Sequence, residues 1–177
     1  MMVQYLRKSI LTDLSEMLAI YAAAEQYLHQ QQIDQWQDGY PDEESIKADI
    51  IKQRSYVLIC DTRIAAVGVL ATQGDPTYAA IDGQWCSSSH QAYVAVHRTA
   101  VSEQFRGQHL AQILMSSLMT IAYHDGFKDI RIDTHPDNLG MQHVIQKSGF
   151  DYRGIVWLNG DSGNSRNKRW AYQIVLP

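Results

Sequence analysis

The sequence predicts a mixed α/β domain over residues 1–177, and three observations lead to this prediction. Segments with alternating apolar side chains and segments with apolar side chains at helical spacing follow one another in the order β-α-α-β-β-β-α-β-α-β-β. Hydrophobic residues make up 45% of the chain and charged residues 19%, which provides a core and excludes disorder as a description of the whole. No internal repeat and no linker rich in Pro or Ser divides the chain.

The elements of the N-terminal half follow from periodicity and from capping residues. Apolar residues alternate in the strands, recur every third or fourth position in the helices, and Thr or Asp precedes each helix as an N-cap. A two-residue turn between two β-rich runs is a hairpin pattern. The predicted elements are a strand over 3–7, a helix from Thr12 or Asp13 to about Gln30, a helix capped by Asp42 that ends near Gln53, and a hairpin of strands 56–61 and 64–72.

The C-terminal half begins after an unusual segment, residues 73–90. This segment is rich in Gly, Ser and Asp but also contains Tyr78, Ile81 and Trp85, which predicts an ordered excursion instead of a flexible linker. Glycines at the ends of two later periodic segments are typical helix C-caps. The predicted elements are a strand over 92–101, a helix from Gly107 to about Asp125, a strand over 128–134, a helix from Asn138 to Gly149, and strands over 152–158 and 169–176.

Charge, cysteine content and hydropathy exclude several classes of protein. The net charge of −4 argues against affinity for nucleic-acid phosphates, which needs clustered Lys and Arg. No apolar run approaches the ~18 residues that span a bilayer, and no leader segment is visible, so we expect a reduced, cytoplasmic protein without a membrane anchor. The apolar run before Cys60 predicts a buried core thiol, and neither Cys60 nor Cys86 belongs to a Cys-x-x-Cys pair. The seven histidines lack metal-ligand spacing, so no metal is expected.

The most informative segment joins the strand over 92–101 to the next helix. The turn after Val101 leads into Gly107-Gln108-His109-Leu110, the predicted first turn of that helix. Amide groups at the start of a helix lack intrahelical partners, and together with the helix dipole they bind phosphate. Arg106 adds a full positive charge at the same point. The segment therefore predicts a site for a phosphate-bearing ligand.

This segment resembles the cofactor motif of the GNAT superfamily of acyl-CoA-dependent N-acyltransferases, Arg/Gln-x-x-Gly-x-Gly/Ala. The motif falls on Arg106, His109 and Ala111, with His109 in the place of the central glycine. If the backbone there needs angles that only glycine adopts, affinity for the cofactor suffers; otherwise a Cβ that points outward is tolerated. The segment 135–150, from His-Pro-Asp-Asn to Lys-Ser-Gly-Phe, resembles the second half of the same fold, and the order of elements agrees over nearly the whole chain.

The resemblance implies a single GNAT domain, whose mixed sheet splays between strands ending near Val101 and Asp133 and carries helices on both faces. Acetyl-CoA would be the co-substrate, with its pantetheine arm along the open strand edge and its pyrophosphate on the amides of the turn. Asn138 would bond the arm near the thioester, and it also suits the N-cap of the helix that follows. The residues assigned to the cofactor are Thr99, Ala100, Val101, Arg106, Gly107, Gln108, His109, Leu110, Ala111 and Asn138.

The attack of an amine on a thioester requires a base, because an ammonium group has a pKa near ~10. A strand period of two places Ala95, His97, Thr99 and Val101 on one face. In the resembling family, side chains two or four positions before the Val101 position project toward the acceptor amine. His97 is therefore the predicted base, since an imidazole with a pKa near ~6.5 accepts a proton at neutral pH; a hydrogen-bonded structural histidine is the alternative.

Three further roles remain to be assigned: a second candidate base, a group that stabilises the oxyanion, and a general acid. His135 is a second candidate base, but the following Pro136 favours a loop-shaping role. The strand amide of Val101 would stabilise the oxyanion, as in relatives. Many superfamily members carry a tyrosine as general acid seven residues after the Asn138 position, where this chain has Ile145. We therefore expect either no dedicated acid or a water in that role, because a CoA thiolate is a fair leaving group.

Aromatic residues are dense in the segments that wall the acceptor site of this architecture, and they suit a pocket for a cation or plain packing of a lid. The predicted acceptor-binding residues are Tyr27, Trp36, Tyr40 and Trp85. The resemblance favours a small primary amine as acceptor; a protein or peptide amine and a catalytically degenerate CoA-binding module are the alternatives.

Residues 1–90 carry a net charge of −6 and residues 91–177 a net +2, which matches a cationic amine and a polyanionic cofactor respectively. The closing strands often pair between subunits in such folds, so a homodimer is a further expectation.

Overall fold

The computed structural model describes residues 3–86 and 92–177. In these residues the strands are β1 Gln4–Lys8, β2 Ser55–Cys60, β3 Arg63–Ala71, β4 Asp82–Gly83, β5 Tyr93–Val101, β6 Asp129–Thr134, β7 Asp151–Trp157 and β8 Lys168–Val175. The helices are α1 Leu14–Gln30, α2 Glu43–Ile51, α3 Leu110–His124 and α4 Leu139–Lys147. The strands form one mixed sheet in the spatial order β1-β2-β3-β5-β6-β8-β7-β4. None of the described helices is both long and apolar enough to cross a membrane.

The predicted order of elements is confirmed, with ends that move by a few residues. Asp42 caps α2 by accepting a hydrogen bond from the Ser45 amide (2.8 Å), as expected of an N-cap. Two differences stand out. Helix α3 begins at Leu110 and not at Gly107, because the preceding turn has a left-handed backbone. The excursion also contributes the short strand β4, which pairs with β7.

Helices cover both faces of the sheet, as predicted. On one face α3 and α4 bury Leu114, Leu118 and Ile145 against the sheet. On the other face α1 and α2 bury Met17 and Ile46. Each such side chain contributes about 1.5–3 kcal/mol through its transfer from water, so both layers hold the sheet rigidly in place.

A buried polar cluster ties the excursion to the sheet. Arg131 on β6 donates from Nη2 to Asp129 Oδ2 (2.8 Å) and lies 4.3 Å from the ring centroid of Trp85. Gln173 donates to Asp129 Oδ1 (2.8 Å) and accepts from the amide of Cys86 (2.8 Å). The ordered excursion predicted over 73–90 therefore packs on the sheet up to Cys86, and its remainder lies outside the described residues.

The sheet splays between β5 and β6. Their parallel pairing runs from Tyr93–Asp129 to Val96–Ile132 and stops there, although both strands continue. The amide of Ser102 donates to Ala65 O of β3 (2.9 Å). Since successive amides of a strand point to opposite edges, the Val101 amide points away from β3, toward the open edge.

Candidate active site

A cleft of about 850 Å³ opens where β5 and β6 part. Its walls come from both strands, the start of α4, the loop after α1 and the tip of the β7–β8 connection. The charged lining residues are of both signs, so the cleft is neither acidic nor basic as a whole. The division of charge between the two halves of the sequence is kept in the cleft, because residues 1–90 contribute only acids to its charged lining and residues 91–177 contribute all four arginines. The charged residues are Asp34, Asp38, Asp75, Asp133, Arg98, Arg106, Arg166 and Arg169.

A β-bulge in β5 places two consecutive side chains on the same face of the sheet, the one that α1 and α2 cover. This face is called the acceptor side below. Arg98 has a left-handed backbone (φ +49°), and the register with β3 shifts between Val67 and Val69. His97 and Arg98 consequently face the same side, whereas the Thr99 hydroxyl donates to Met141 Sδ of α4 on the opposite side (3.7 Å). The prediction that His97, Thr99 and Val101 share one face is therefore wrong, because the bulge inserts one extra residue into the alternation.

His97 forms a dyad with Asp75. Its Nε2 lies 2.9 Å from Asp75 Oδ2, and its ring centroid is 6.0 Å from that of Tyr78. Within the described part of the chain, Nδ1 of His97 has no hydrogen-bond partner, and the side chain lines the cleft. A carboxylate that holds the Nε2 hydrogen orients the ring and leaves the Nδ1 lone pair free to accept a proton.

The Asp75 carboxylate is held in its charged form. Burial opposes the charge, but the hydrogen bond and the charge of His97, together with the Thr77 amide (2.8 Å), outweigh it and lower the pKa of Asp75 to about 2. Asp75 is therefore ionised throughout the neutral range, where it positions His97.

We expect the ionised Asp75 to stabilise the fold at every pH above about 4 and to lose this contribution as the pH falls toward 2. The carboxyl has a lower pKa in the folded chain than its ordinary value of 3.8, so the unfolded chain takes up the proton first on acidification. Urea unfolding of wild type and Asp75→Asn at several pH values measures this. The difference between their free energies of unfolding should shrink from pH 4 to pH 2; a constant difference would contradict the assignment.

Arg98 forms an ion pair with a buried acid that it shares with a second arginine. Its Nη2 lies 2.6 Å from Asp49 Oδ2, and Asp49 also holds Arg54 Nε at 2.6 Å. Nη1 of Arg98 donates to the Tyr40 hydroxyl, and its carbonyl accepts from the Tyr21 hydroxyl (2.9 Å). The bulge residue thereby links α1 and α2 to the cleft and fixes Tyr40 in the cleft wall.

Tyr78 holds a second carboxylate near His97. Its hydroxyl donates to Asp133 Oδ1 at 2.6 Å. Burial raises the pKa of Tyr78 well above its ordinary value, and the Asp133 charge adds to this effect, so the hydroxyl stays protonated and remains a donor. Asp133 is thus fixed at the end of β6, where it lines the cleft.

The turn before α3 has the properties of an anion cradle. Gly107 (φ +78°) and His109 (φ +58°, ψ +18°) adopt left-handed conformations, and His109 is exposed. Histidine adopts this region more readily than most residues, so glycine-only angles are not needed. The first α-helical hydrogen bond runs from the Ile113 amide to His109 O (3.3 Å), which leaves the amides of 108–111 without intrahelical partners. These amides suit a pyrophosphate.

We expect His109→Gly to change the dissociation constant of acetyl-CoA by less than about threefold, and His109→Val to weaken binding at least about tenfold. A left-handed backbone costs most residues roughly 1–2 kcal/mol, nothing extra for glycine, and more for a β-branched residue. Isothermal titration with acetyl-CoA measures both variants. Gln108→Val, at the exposed neighbouring position, is the matched control and should bind as wild type does. Equal affinity of His109→Val and wild type would show that this conformation does not matter for binding.

Asn138 links the start of α4 to the loop after α1. Its Oδ1 accepts from the Met141 amide (3.1 Å) and caps α4, while its Nδ2 donates to Gln35 Oε1 (2.9 Å). The neighbouring Asp34 forms an ion pair with Arg166 from the β7–β8 connection (2.8 Å). The two loops therefore meet at the cleft, where residues of both line its wall.

Most predicted site residues lie at the cleft or on the turn beside it. The Ala100 side chain packs in the α1–α2 core, Leu110 is the first residue of α3 and is buried in the core, and Ala111 lines a small apolar pocket of about 90 Å³. Gly107, Gln108 and His109 form the exposed turn. The predicted residues that line the cleft are His97, Thr99, Val101, Arg106, Asn138, Tyr27, Trp36 and Tyr40.

The prediction that Trp85 binds the acceptor is wrong. Its indole Nε1 donates to Tyr78 O (3.1 Å), and its ring stacks on Arg131, outside the cleft. This aromatic residue packs the excursion on the sheet, which composition alone could not distinguish from a wall of a pocket.

His135 and Ile145 have structural roles. The Asp137 amide donates to His135 Nδ1 (3.2 Å), and burial, reinforced by Arg169, lowers the pKa of His135, so the neutral ring shapes the loop before α4. Ile145 is fully buried in the core. Neither side chain lines the cleft. The described residues also contain no group of three or more His, Cys, Asp or Glu side chains suited to a metal ion.

Arg106 is the only one of the eight charged cleft residues named above that is among the predicted site residues. Asp75 stands in Gly74-Asp75-Pro76, which has the composition of an ordinary turn, and Asp133 and Arg169 occupy strand ends without a motif. Arg98 carries no signal for the bulge. These residues meet through strand pairing, which a local pattern does not reveal.

A family model described as the acetyltransferase (GNAT) family matches residues 21–150, a range that includes the bulged strand, the cradle and α4. The chain belongs to the GNAT family. It is therefore an acyltransferase, and GNAT acetyltransferases use acetyl-CoA.

Solved GNAT structures share the fold over nearly the whole chain. An acetyltransferase of the GNAT family from Streptococcus agalactiae is 31% identical, with a TM-score of 0.86 over 98% of this chain and 96% of its own. One from Listeria monocytogenes is 18% identical (TM-score 0.74, 98% and 95% covered). The protein yncA from Salmonella typhimurium, solved with its cofactor acetyl-CoA, is 15% identical (TM-score 0.69, 98% and 94% covered). No protein of curated function matches the chain.

Proposed function

We propose that this GNAT enzyme transfers the acetyl group of acetyl-CoA to the primary amine of a small molecule. The observation that carries the proposal is the size of the cleft, about 850 Å³, whose lining includes two loops joined by Asp34 and Arg166. Sites for small ligands typically measure roughly 300–1,000 Å³. The cleft must take the thioester end of the co-substrate as well, so the space left over fits a small acceptor better than a folded protein surface.

His97 is the proposed base and Asp75 its positioning residue. The attacking nitrogen gives a proton to Nδ1 of His97, directly or through one water. The nitrogen forms the new N–C bond by direct attack on the acetyl carbon, which gives a tetrahedral intermediate with an oxyanion. The C–S bond of this intermediate then breaks, and the CoA thiolate leaves with the electron pair and takes up a proton. The ionised Asp75 favours the imidazolium formed in between.

The chain's own backbone supports the co-substrate. The Val101 amide, directed to the open edge, is available to the acetyl oxygen as negative charge develops on it. The amides of 108–111 and the exposed guanidinium of Arg106 would hold the pyrophosphate, and the second Nδ2 hydrogen of Asn138 is available to the pantetheine arm. With Ile145 buried in the core, a water is the proposed proton donor to the leaving thiolate.

The acceptor would lie between aromatic residues of the last turn of α1 and of the loop that follows it. Tyr27, Trp36 and Tyr40 line this part of the cleft, and an amine or an alkyl chain packs well against such rings. A cytoplasmic location and a homodimer stay predictions from the sequence.

A thiol-release assay with acetyl-CoA tests the proposed function. A panel of small amines is compared with peptides that carry a free terminus or a lysine. We expect turnover with at least one class of small amine. Turnover with peptides alone would favour a peptide acceptor, and binding of acetyl-CoA without turnover of any amine would indicate a catalytically degenerate module.

A further inference from the structure

Arg169 is a buried cation in the cleft wall whose donors are only partly used. It is 6% exposed, stands near the start of β8 and lines the cleft. Its Nη1 donates to the carbonyls of Arg166 (2.7 Å) and Lys168 (2.8 Å), which fixes the guanidinium. In residues 3–86 and 92–177, no acceptor lies within hydrogen-bond distance of its Nε or Nη2. Two donors of a rigid cation are therefore available to a ligand.

No carboxylate in the described residues contacts this charge at hydrogen-bond distance. Nε lies 4.0 Å from Asp133 Oδ2, which is too far for a hydrogen bond. Burial lowers the pKa of Arg169, while Asp133, Asp38 and Asp34 oppose this effect from a distance. A buried charge without a hydrogen-bonded counter-charge costs free energy, and an anion of the substrate would recover it.

The other arginines of the cleft are different. Arg98 lies 2.6 Å from Asp49, and Arg166 lies 2.8 Å from Asp34. Arg106 is exposed at the rim, with its guanidinium 4.2 Å from the centre of the Tyr27 ring. The Nε of Arg98 is also buried and has no hydrogen-bond partner among the described residues, but a carboxylate lies beside its Nη2. Arg169 is the one of these four that is buried with no carboxylate of the described residues at hydrogen-bond distance.

A fixed acid stands beside this cation. Asp133 is held by Tyr78 through Oδ1 (2.6 Å) and turns Oδ2 toward Arg169. The ammonium and carboxylate groups of an α-amino acid are separated by a single carbon, so their spacing matches a carboxylate and a guanidinium about 4 Å apart. A guanidinium also binds a carboxylate through two parallel hydrogen bonds.

We propose that the acceptor is an amino acid or a closely related amine that bears a carboxylate, with the carboxylate bound by Arg169 and the ammonium facing Asp133. This inference rests on the proposed function, because it names the class of small amine. The ammonium then lies on the side of the cleft where Tyr78 connects Asp133 to His97, the proposed base.

Matched substrates test the inference on the unaltered protein. Thiol release is measured with acetyl-CoA and each of the common amino acids, their carboxamides and the amines left by decarboxylation. We expect kcat/KM at least about tenfold higher for the preferred acid than for its amide and its decarboxylated amine. Equal turnover of all three would overturn the inference and leave the proposed function standing. Turnover of no small amine would overturn both.

Replacing Arg169 tests whether this residue recognises the carboxylate of the acceptor. Arg169→Met should raise KM for the acid at least about tenfold and remove the preference for acid over amide, with little change in kcat/KM for the amide. Arg63→Met removes an exposed arginine that pairs with Glu16 (3.3 Å) outside the cleft, and this control should keep the preference. Thermal unfolding shows whether each variant is folded. If Arg169→Met does not fold, the substrate comparison alone decides, and a folded variant that keeps the preference would overturn the role of Arg169.

Discussion

Replacing His97 by Gln should lower kcat by about 10²–10⁴ and remove the acidic limb of the rate–pH profile. Glutamine keeps a polar group of similar size in the cleft but cannot accept a proton, so the variant loses general-base catalysis and little else. Steady-state thiol release between pH 5.5 and 9 measures both effects. The dissociation constant of acetyl-CoA should stay close to the wild-type value, because His97 lies on the acceptor side of the bulge.

Asp75→Asn is the matched control for this prediction. It retains the imidazole but removes the carboxylate that orients it (2.9 Å), so kcat should fall less than in His97→Gln and an acidic limb should remain. If His97→Gln keeps both the rate and the acidic limb, His97 is not the base. Asp133, the other carboxylate close to Tyr78, would then be the first residue to replace.

The second large effect concerns stability: Asp129→Asn should lower the free energy of unfolding by about 3–5 kcal/mol. Asp129 is fully buried and accepts from Arg131 (2.8 Å) and Gln173 (2.8 Å). An asparagine leaves the Arg131 guanidinium between the rings of Trp85 and Tyr93 without its counter-charge. Urea unfolding followed by circular dichroism measures the change.

Asp151→Asn provides a closely matched control. Asp151 also pairs with an arginine two positions along a strand, Arg153 at 3.0 Å, but its side chain is 75% exposed. Exposed ion pairs contribute roughly 0–1 kcal/mol, so this variant should unfold almost as wild type does. Similar losses in both variants would mean that burial of the Asp129 pair is not what makes it important.

The order of helices and strands could be predicted because its signals are local. Asp42 and Asn138 accept from amides three residues ahead, and such caps are written in a few consecutive residues. The cradle was visible for the same reason, since the strand, the turn and the start of α3 are contiguous. Its one uncertain position, His109, was settled by a backbone angle that residue type leaves open.

The acceptor side of the cleft could not be predicted in the same way. Asp75 contacts His97, which is 22 positions away in the sequence, and Asp133 contacts Tyr78, which is 55 positions away. Trp85 was misassigned because packing on Arg131 and lining a pocket require the same kind of side chain. The bulge at Arg98 depends on the partner strand β3 and reversed the expected facing of Thr99 and Val101.

The bulge makes the length of β5 as important as its composition. Four positions separate His97 from Val101, and in a regular strand both would face the same side. Here His97 faces the acceptor while Val101 packs toward α3. Deleting a single residue after Arg98 would exchange the faces of everything that follows, even if every remaining residue were kept. An insertion or deletion at this point is therefore a change of register, and we expect relatives that keep this chemistry to conserve the number of residues between these two positions.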